Sequence, residues 1–265
     1  MDYLSPEVAV LLTAVGLVAG FVDAIAGGGG LLAIPALLAA GLPVQAALAT
    51  NKLQGTFGSF SASLKFIRRG YVSFDEIRVP IAFTFAGGAL GAILVQTLDP
   101  GFLRSLIPVL LIASALYFMF SPHISDVERH QRMSHAMFGA LVGTSIGFYD
   151  GFFGPGTGSF FVVACVSLLG FTMTKATAHT KVLNFTSNIA SLIFFIVGGN
   201  VVWEVGLLMA LGQVIGARLG AEVVIGKGAA IVRPMLVTVC LIMTVKLALD
   251  AYAPGWGRAV LAFGH

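Results

Sequence analysis

The feature that most restricts this chain is a carboxylate beside a run of helix-breaking glycines, set inside a long apolar stretch. Residues 20–35 read GFVDAIAGGGGLLAIP, with Asp23 just ahead of four consecutive glycines. A charge buried in an apolar core is expensive, and so is one placed in hydrocarbon. Yet the arrangement recurs at residues 147–161, GFYDGFFGPGTGSFF, where Asp150 falls on Asp23, 127 residues later. A costly element that occurs twice is a working part, and the rest of the chain is read outward from it.

The flanking segments say which solvent the chain faces. They are apolar all round rather than striped, and many reach the ~20 residues that cross a bilayer as a helix. Only 10% of the 265 residues are charged, where a water-soluble domain carries about a quarter. The 33 glycines suit helices that pack through small residues in lipid. The fold class is therefore an all-α polytopic membrane protein. The formal net charge of +3 sits mostly in short loops, where it sets topology and carries no nucleic-acid signal. Cys165 and Cys240 lie within apolar spans without metal or redox spacing and read as small buried hydrophobes. The N-terminus is acidic and lacks the basic region of a cleaved signal peptide, so residues 8–19 read as the start of a retained first span.

Ten apolar segments follow in order: 8–26, 31–40, 46–67, 77–98, 102–120, 136–153, 160–169, 176–197, 201–224 and 231–249. The last five repeat the first five. At an offset of 129, Lys52 falls on Lys181, Phe66 on Phe195, Gly87 and Gly91 on Gly216 and Gly220, and Arg104 on Arg233. The chain thus divides into a first transmembrane repeat over 1–125 and a second over 126–265, with the hydrophilic stretch 121–134 between them. Equivalent loops carry opposite charge. Lys65, Arg68, Arg69 and Arg78 crowd one loop, whereas its counterpart at 198–204 holds only Glu204. By the positive-inside rule the repeats have inverted topology, with Arg68 and Arg69 in the cytoplasm and the N-terminus outside. Segment 31–40 rises only about 15 Å against ~30 Å of hydrocarbon. It and segment 160–169 are expected to be half-helices, broken at the Gly-rich motifs.

Candidate site residues collect at these breaks. Gly28 and Gly29, and Gly156 with Thr157, expose backbone N–H groups at half-helix starts, where the helix dipole favours an anion; the alternative is that the glycines only permit close helix crossing. The polar-dotted spans place Asn51, Lys52 and Gln54 opposite Thr180, Lys181 and Asn184. Lysines near a span end can snorkel to the interface. Here the polar face continues inward through Gly55, Gly58 and Ser59 in one copy and Ser187, Asn188 and Ser191 in the other, which suits a cavity that binds an oxyanion. Asp23 and Asp150 are candidates for carrying a coupling proton, or for pairing with lysine. His179 is a second proton candidate, but its counterpart is Thr50, so its role would be asymmetric. Arg218 and Glu222 read as interfacial, one turn apart. The histidines His123, His130 and His135 lie in or near the connecting stretch, and His265 is terminal. No nucleophile–base pair, metal-ligand spacing or cofactor fingerprint stands out, so neither an enzyme nor a cofactor is expected.

The motif GFVDAIAGGGG at 20–30 with ATNK at 49–52, and its degenerate copy GFYDGFFGPGTG at 147–158 with Thr180 and Lys181, resembles the sulfite exporter TauE/SafE family, also called the toluene sulfonate uptake permease family. The resemblance covers nearly the whole chain. It implies a multi-pass transporter of the bacterial cytoplasmic membrane that moves small anions such as sulfite, organosulfonates or related carboxylic acids, with protons as the coupling ion. Asp23, Asn51, Lys52, Asp150, Thr180 and Lys181 are the positions it carries over. An anion channel on the same scaffold is the alternative reading.

Overall fold

The computed structural model describes residues 5–120 and 130–227, and they are helical throughout apart from short connections. Segment 231–249, Arg233, Cys240, His123, His265 and most of the connecting stretch lie outside the described residues. The helices run α1 (Pro6–Ala26), α2 (Gly29–Ala39), α3 (Val44–Arg68), α4 (Phe74–Thr97), α5 (Pro100–Phe120), α6 (His135–Phe138), α7 (Thr144–Phe152), α8 (Thr157–Ala164), α9 (Met173–Val197) and α10 (Trp203–Lys227). Two π-helical turns carry no sign in the sequence pattern. Gly139–Gly143 joins α6 to α7, and Cys165–Leu169 extends α8.

Local chemistry sets the ends. Ser5 caps α1 through its side chain on the Val8 amide, with Pro6 in the first turn. Thr172 caps α9 on the Lys175 amide at 3.3 Å. Lys65 and Arg68 close α3 and Asp75 and Glu76 open α4, each sign matching the helix dipole at that end. Gly27, at φ 70°, ends α1 in the left-handed conformation that glycine adopts without a side-chain clash.

Four helices are long and apolar enough to cross a membrane among the described residues: Pro6–Ala26, Phe74–Thr97, Met173–Val197 and Trp203–Gly226. The 25-residue α3 is as long but dotted with polar groups. The bundle turns apolar side chains outward, including Val10, Leu90, Leu94, Leu207 and Leu211, while Thr50, Asn51, Lys52 and Gln54 are buried. Hydrocarbon accepts that outer surface, and the polar groups need partners within the protein.

Small residues decide which helices touch. Gly16 and Gly20 of α1 lie against the backbone of Met209 and Gln213, and Gly212 and Gly216 of α10 against that of Thr13 and Leu17. In the same way Gly87 and Gly91 of α4 meet Thr144 and Phe148, and Gly147 and Gly151 of α7 meet Thr84 and Gly88. Backbones at this distance exclude any Cβ, which is how helices bind one another in lipid without a hydrophobic driving force. The first helix of each sequence copy therefore packs on the fourth helix of the other. α3 and α9 fill the centre and run in opposite directions. The amide of Ser73, just past the end of α3, approaches His179 in the second turn of α9 at 3.3 Å. At the other end Val202, just past α9, donates to Thr50 near the start of α3 at 3.1 Å.

Candidate functional site

The two glycine breaks meet. A Cβ on Gly27 would lie 2.6 Å from the carbonyl carbon of Gly158, so the end of α1 and the start of α8 touch through bare backbone. Ser159 donates its hydroxyl to the Ala26 carbonyl, which the end of α1 leaves without a helical partner. The second break is braced by Tyr149, whose hydroxyl donates to Pro155 O at 2.6 Å and contacts Ser114 Oγ at 2.9 Å. Gly154 and Gly156 both hold positive φ, 104° and 89°.

Both lysines lie at depth, each 1% exposed, and each pairs with the aspartate of the other copy. Lys52 Nζ donates to Asp150 Oδ1 at 2.8 Å. The same carboxylate accepts the hydroxyl of Thr157, the first residue of α8, at 2.9 Å and that of Ser187 from α9. Asp150 is thus held by three donors from three helices. Lys181 Nζ bonds the main-chain carbonyl of Asp23 and reaches its Oδ2 at 3.3 Å. Asp23 Oδ1 accepts the Gly29 amide at 3.4 Å, at the start of α2. Of the two pairings open to the sequence, within a copy or across, the chain uses the crossed one. The pairs differ in exposure: the Asp150 side chain is 5% exposed and that of Asp23 19%.

Between the pairs lies a narrow polar cleft with about 30 Å³ of free space, lined by residues of α1, α2, α3, α7, α8, α9 and α10 and of the two breaks. The structure brings Asp23, Asn51, Lys52, Gln54, Asp150, Thr157 and Asn184 to its wall, together with Gly27, Gly30 and Gly158. Gln54 Nε2 donates to Asn51 Oδ1 at 2.8 Å, whereas Gln54 Oε1, Asn184 Oδ1 and Gln213 Oε1 are buried without a hydrogen-bond partner among the described residues. Buried polar atoms in native proteins are almost always satisfied. Three amide oxygens around one cleft are therefore left able to accept a hydrogen bond. Asn184 and Gln213 can each turn either the oxygen or the NH₂ of the side chain to the cleft, whereas the Gln54 NH₂ is taken by Asn51.

Other candidates lie around the cleft rather than on it. Gly28 caps α2 and Gly29 starts it, while Gly156 caps α8. Lys181 reaches the cleft through Asp23. Thr180 is fully buried beside Cys165. His179 sits near the α3–α4 connection. Its Nδ1 is 2.9 Å from Lys175 O, and its Nε2 lies 3.3 Å from both the Ser73 amide and Glu76 Oε2. Glu76 also pairs with Lys175 at 2.9 Å. Arg218 bonds Ser61 Oγ at 3.1 Å, and Glu222 pairs with Lys65 and Arg69 rather than with Arg218. Gln213 is the cleft residue to which sequence reasoning assigns no role. Its counterpart in the first copy is Thr84, and its only signal is a lone amide in the apolar α10.

The pattern of crossed lysine–aspartate pairs over two glycine breaks runs through nearly the whole chain, and so does the match to one family. Residues 12–247 fit the model of the sulfite exporter TauE/SafE family. The chain belongs to that family. Its relatives include a "Probable membrane transporter protein" of Haemophilus influenzae, 49% identical over 94% of this chain and 97% of the relative. The "Probable membrane transporter protein YfcA" of Escherichia coli K12 is also 49% identical, over 94% of this chain and 93% of that protein. A more distant relative, the "Probable membrane transporter protein YunE" of Bacillus subtilis, is 26% identical over 81% of this chain and 88% of that protein. No solved structure matches the chain. As a TauE/SafE member with four membrane-length apolar helices, it is a multi-pass membrane protein of a transporter family.

Proposed function

We propose that this protein is a secondary transporter that carries a small anion, such as sulfite, an organosulfonate or a related carboxylic acid, across the bacterial inner membrane together with protons. Its two repeats, 1–125 and 126–265, are of inverted topology and alternate access to the central cleft. The observation that carries this reading is the pair of buried lysines at the meeting point of two broken helices, each held by an aspartate of the opposite copy.

The electrostatics favour proton coupling. Two lysines and two aspartates leave the cleft with no net charge. An anion added to it would be an uncompensated charge at low dielectric, which is costly. A proton taken up by Asp150 or Asp23 removes that cost and frees a lysine to face the anion. Thr157 and Ser187 hydroxyls, which now donate to Asp150, can accept from its protonated form. The half-helix starts at Gly29 and Thr157 add partial positive charge from either side. The antiparallel course of α3 and α9 supports the inverted repeat. The small volume of the cleft supports a site that opens by rearrangement over a standing channel.

The test is a ligand screen on purified protein by thermal shift, against sulfite, sulfate, thiosulfate, sulfoacetate, taurine and simple carboxylates at two pH values. A ligand that binds only the native state raises the melting temperature. We expect one sulfur oxyanion or carboxylate to do so, and its effect to vanish in Lys52→Ala and Lys181→Ala. A sulfonate keeps its charge across neutral pH, so its tighter binding at the lower pH would report protonation of the protein. A shift with neutral or cationic solutes only would show that the lysines are structural.

A further inference from the structure

A second binding feature lies on the outside of the bundle, away from the cleft. α3 and α10 run parallel, joined at one end by the Val202–Thr50 bond and at the other by the Lys65–Glu222 pair. Between them runs a groove of two chemistries. Its first part, of about 230 Å³, is lined by apolar side chains, among them Phe57, Leu207, Leu211 and Val214. Its second part begins one helical turn further along both helices, at Ser61 after Phe57 and Arg218 after Val214; it holds about 340 Å³ and is lined by Ser61, Leu64, Lys65, Arg68, Arg69 and Arg218.

We propose that this groove binds an anionic glycerophospholipid, with an acyl chain along Phe57, Leu207 and Leu211 and the phosphate against Arg69, Arg218 and Lys65. The charge there is unbalanced, since four cations face the single carboxylate of Glu222 among the described residues. Among those residues Arg68 has no ion pair, and the Arg218 guanidinium bonds only Ser61 through its Nε. The length fits. From Leu207 to Arg218 the helix rises about 16 Å, close to the ~15 Å depth of one hydrocarbon leaflet. The basic end therefore reaches headgroup level when the apolar part lies among the acyl chains. An inorganic anion would have no use for the apolar half. An uncharged lipid would leave the arginines unpaired. The lipid is one ligand that satisfies both.

Native mass spectrometry of the full chain tests this, after equilibration in detergent with equal amounts of phosphatidylglycerol and phosphatidylcholine of the same acyl length. Each basic residue near a lipid phosphate is worth about five-fold in binding, so wild-type protein should retain phosphatidylglycerol at least about five-fold over phosphatidylcholine. Arg69→Gln with Arg218→Gln should bring the ratio toward one, and Leu211→Trp, which fills the apolar half, should remove both adducts. Equal retention of the two lipids by wild type overturns the proposal without recourse to any variant. So does a preference that inorganic phosphate abolishes while Leu211→Trp leaves it intact, which would mark a free-anion vestibule. A dimer mass abolished by Leu211→Trp would overturn it by assigning the groove to a second copy. Absence of any lipid adduct, together with a melting loss in Leu211→Trp, would overturn it by assigning the groove to the chain's own residues 228–265.

Discussion

The Lys52–Asp150 pair offers a double-mutant cycle whose outcome follows from its burial. Both side chains are nearly sealed, at 1% and 5% exposure, and no third charged group among the described residues pairs with either. Removing one partner strands the other as a lone buried charge, which costs about 3–5 kcal/mol. Lys52→Met leaves Asp150 with only the hydroxyls of Thr157 and Ser187. Asp150→Asn leaves the ammonium facing a neutral amide. For a chain of this size that loss corresponds to a fall in melting temperature of about 6–20 °C. The double variant Lys52→Met/Asp150→Asn has no stranded charge, since the oxygen of the introduced amide can still accept from Thr157 and Ser187. It should recover more than half of the summed loss of the two single variants, a coupling energy of about 3 kcal/mol or more. A thiol-independent melting assay in detergent, such as intrinsic fluorescence, reads all four corners. The partly exposed pair Lys175–Glu76 serves as the control and should couple by no more than about 1 kcal/mol. Losses that simply add in the double variant would refute the reasoning, because they would mean that each group is stabilised by something other than its partner.

Four further outcomes follow. Asp23→Asn should cost less stability than Asp150→Asn, since Lys181 keeps the Asp23 main-chain carbonyl and the carboxylate is more exposed; equal melting losses would count against this asymmetry. Gly27→Ala should lose about 1–3 kcal/mol from its positive φ alone. It should lose more from contact with Gly158, visible as a lowered melting temperature, and a neutral result would show that the breaks do not abut. Gly216→Val should lower thermal stability by about 1–3 kcal/mol or more, because any Cβ there meets the backbone of Leu17 and Phe21; an unchanged melting point would mean that α1 and α10 are not in close contact. Gln213→Leu removes an amide whose oxygen is buried without a partner among the described residues, so it should leave stability unharmed while weakening the binding of whichever anion the screen identifies by about 5–30-fold. An unchanged dissociation constant would place the substrate elsewhere.

What the sequence by itself determined was the solvent and the ingredients. Long apolar runs with few charges admit one class of fold, because unpaired backbone and side-chain charge are both excluded from hydrocarbon. The breaks within Gly27–Gly30 and Gly154–Gly158 were legible because clustered glycines weaken a helix, although Gly29, Gly30 and Gly158 belong to the helices that follow. Lys52, Lys181, Asp23 and Asp150 were legible because charge in such surroundings is too costly to be incidental. Tertiary structure alone decided how they combine. Spacing along α3 and α9 leaves the lysines free to pair within a copy or across it. In the structure the end of α1 meets the start of α8 at Gly27 and Gly158, and each aspartate pairs with the other copy's lysine. His179 shared a motif with Lys181 yet faces Ser73 and Glu76, because positions two apart on a helix point to different sides. The cleft position of Gln213 and the α3–α10 groove were invisible for another reason. Each is made by residues about 150 positions apart, brought together only when glycines let the helices close.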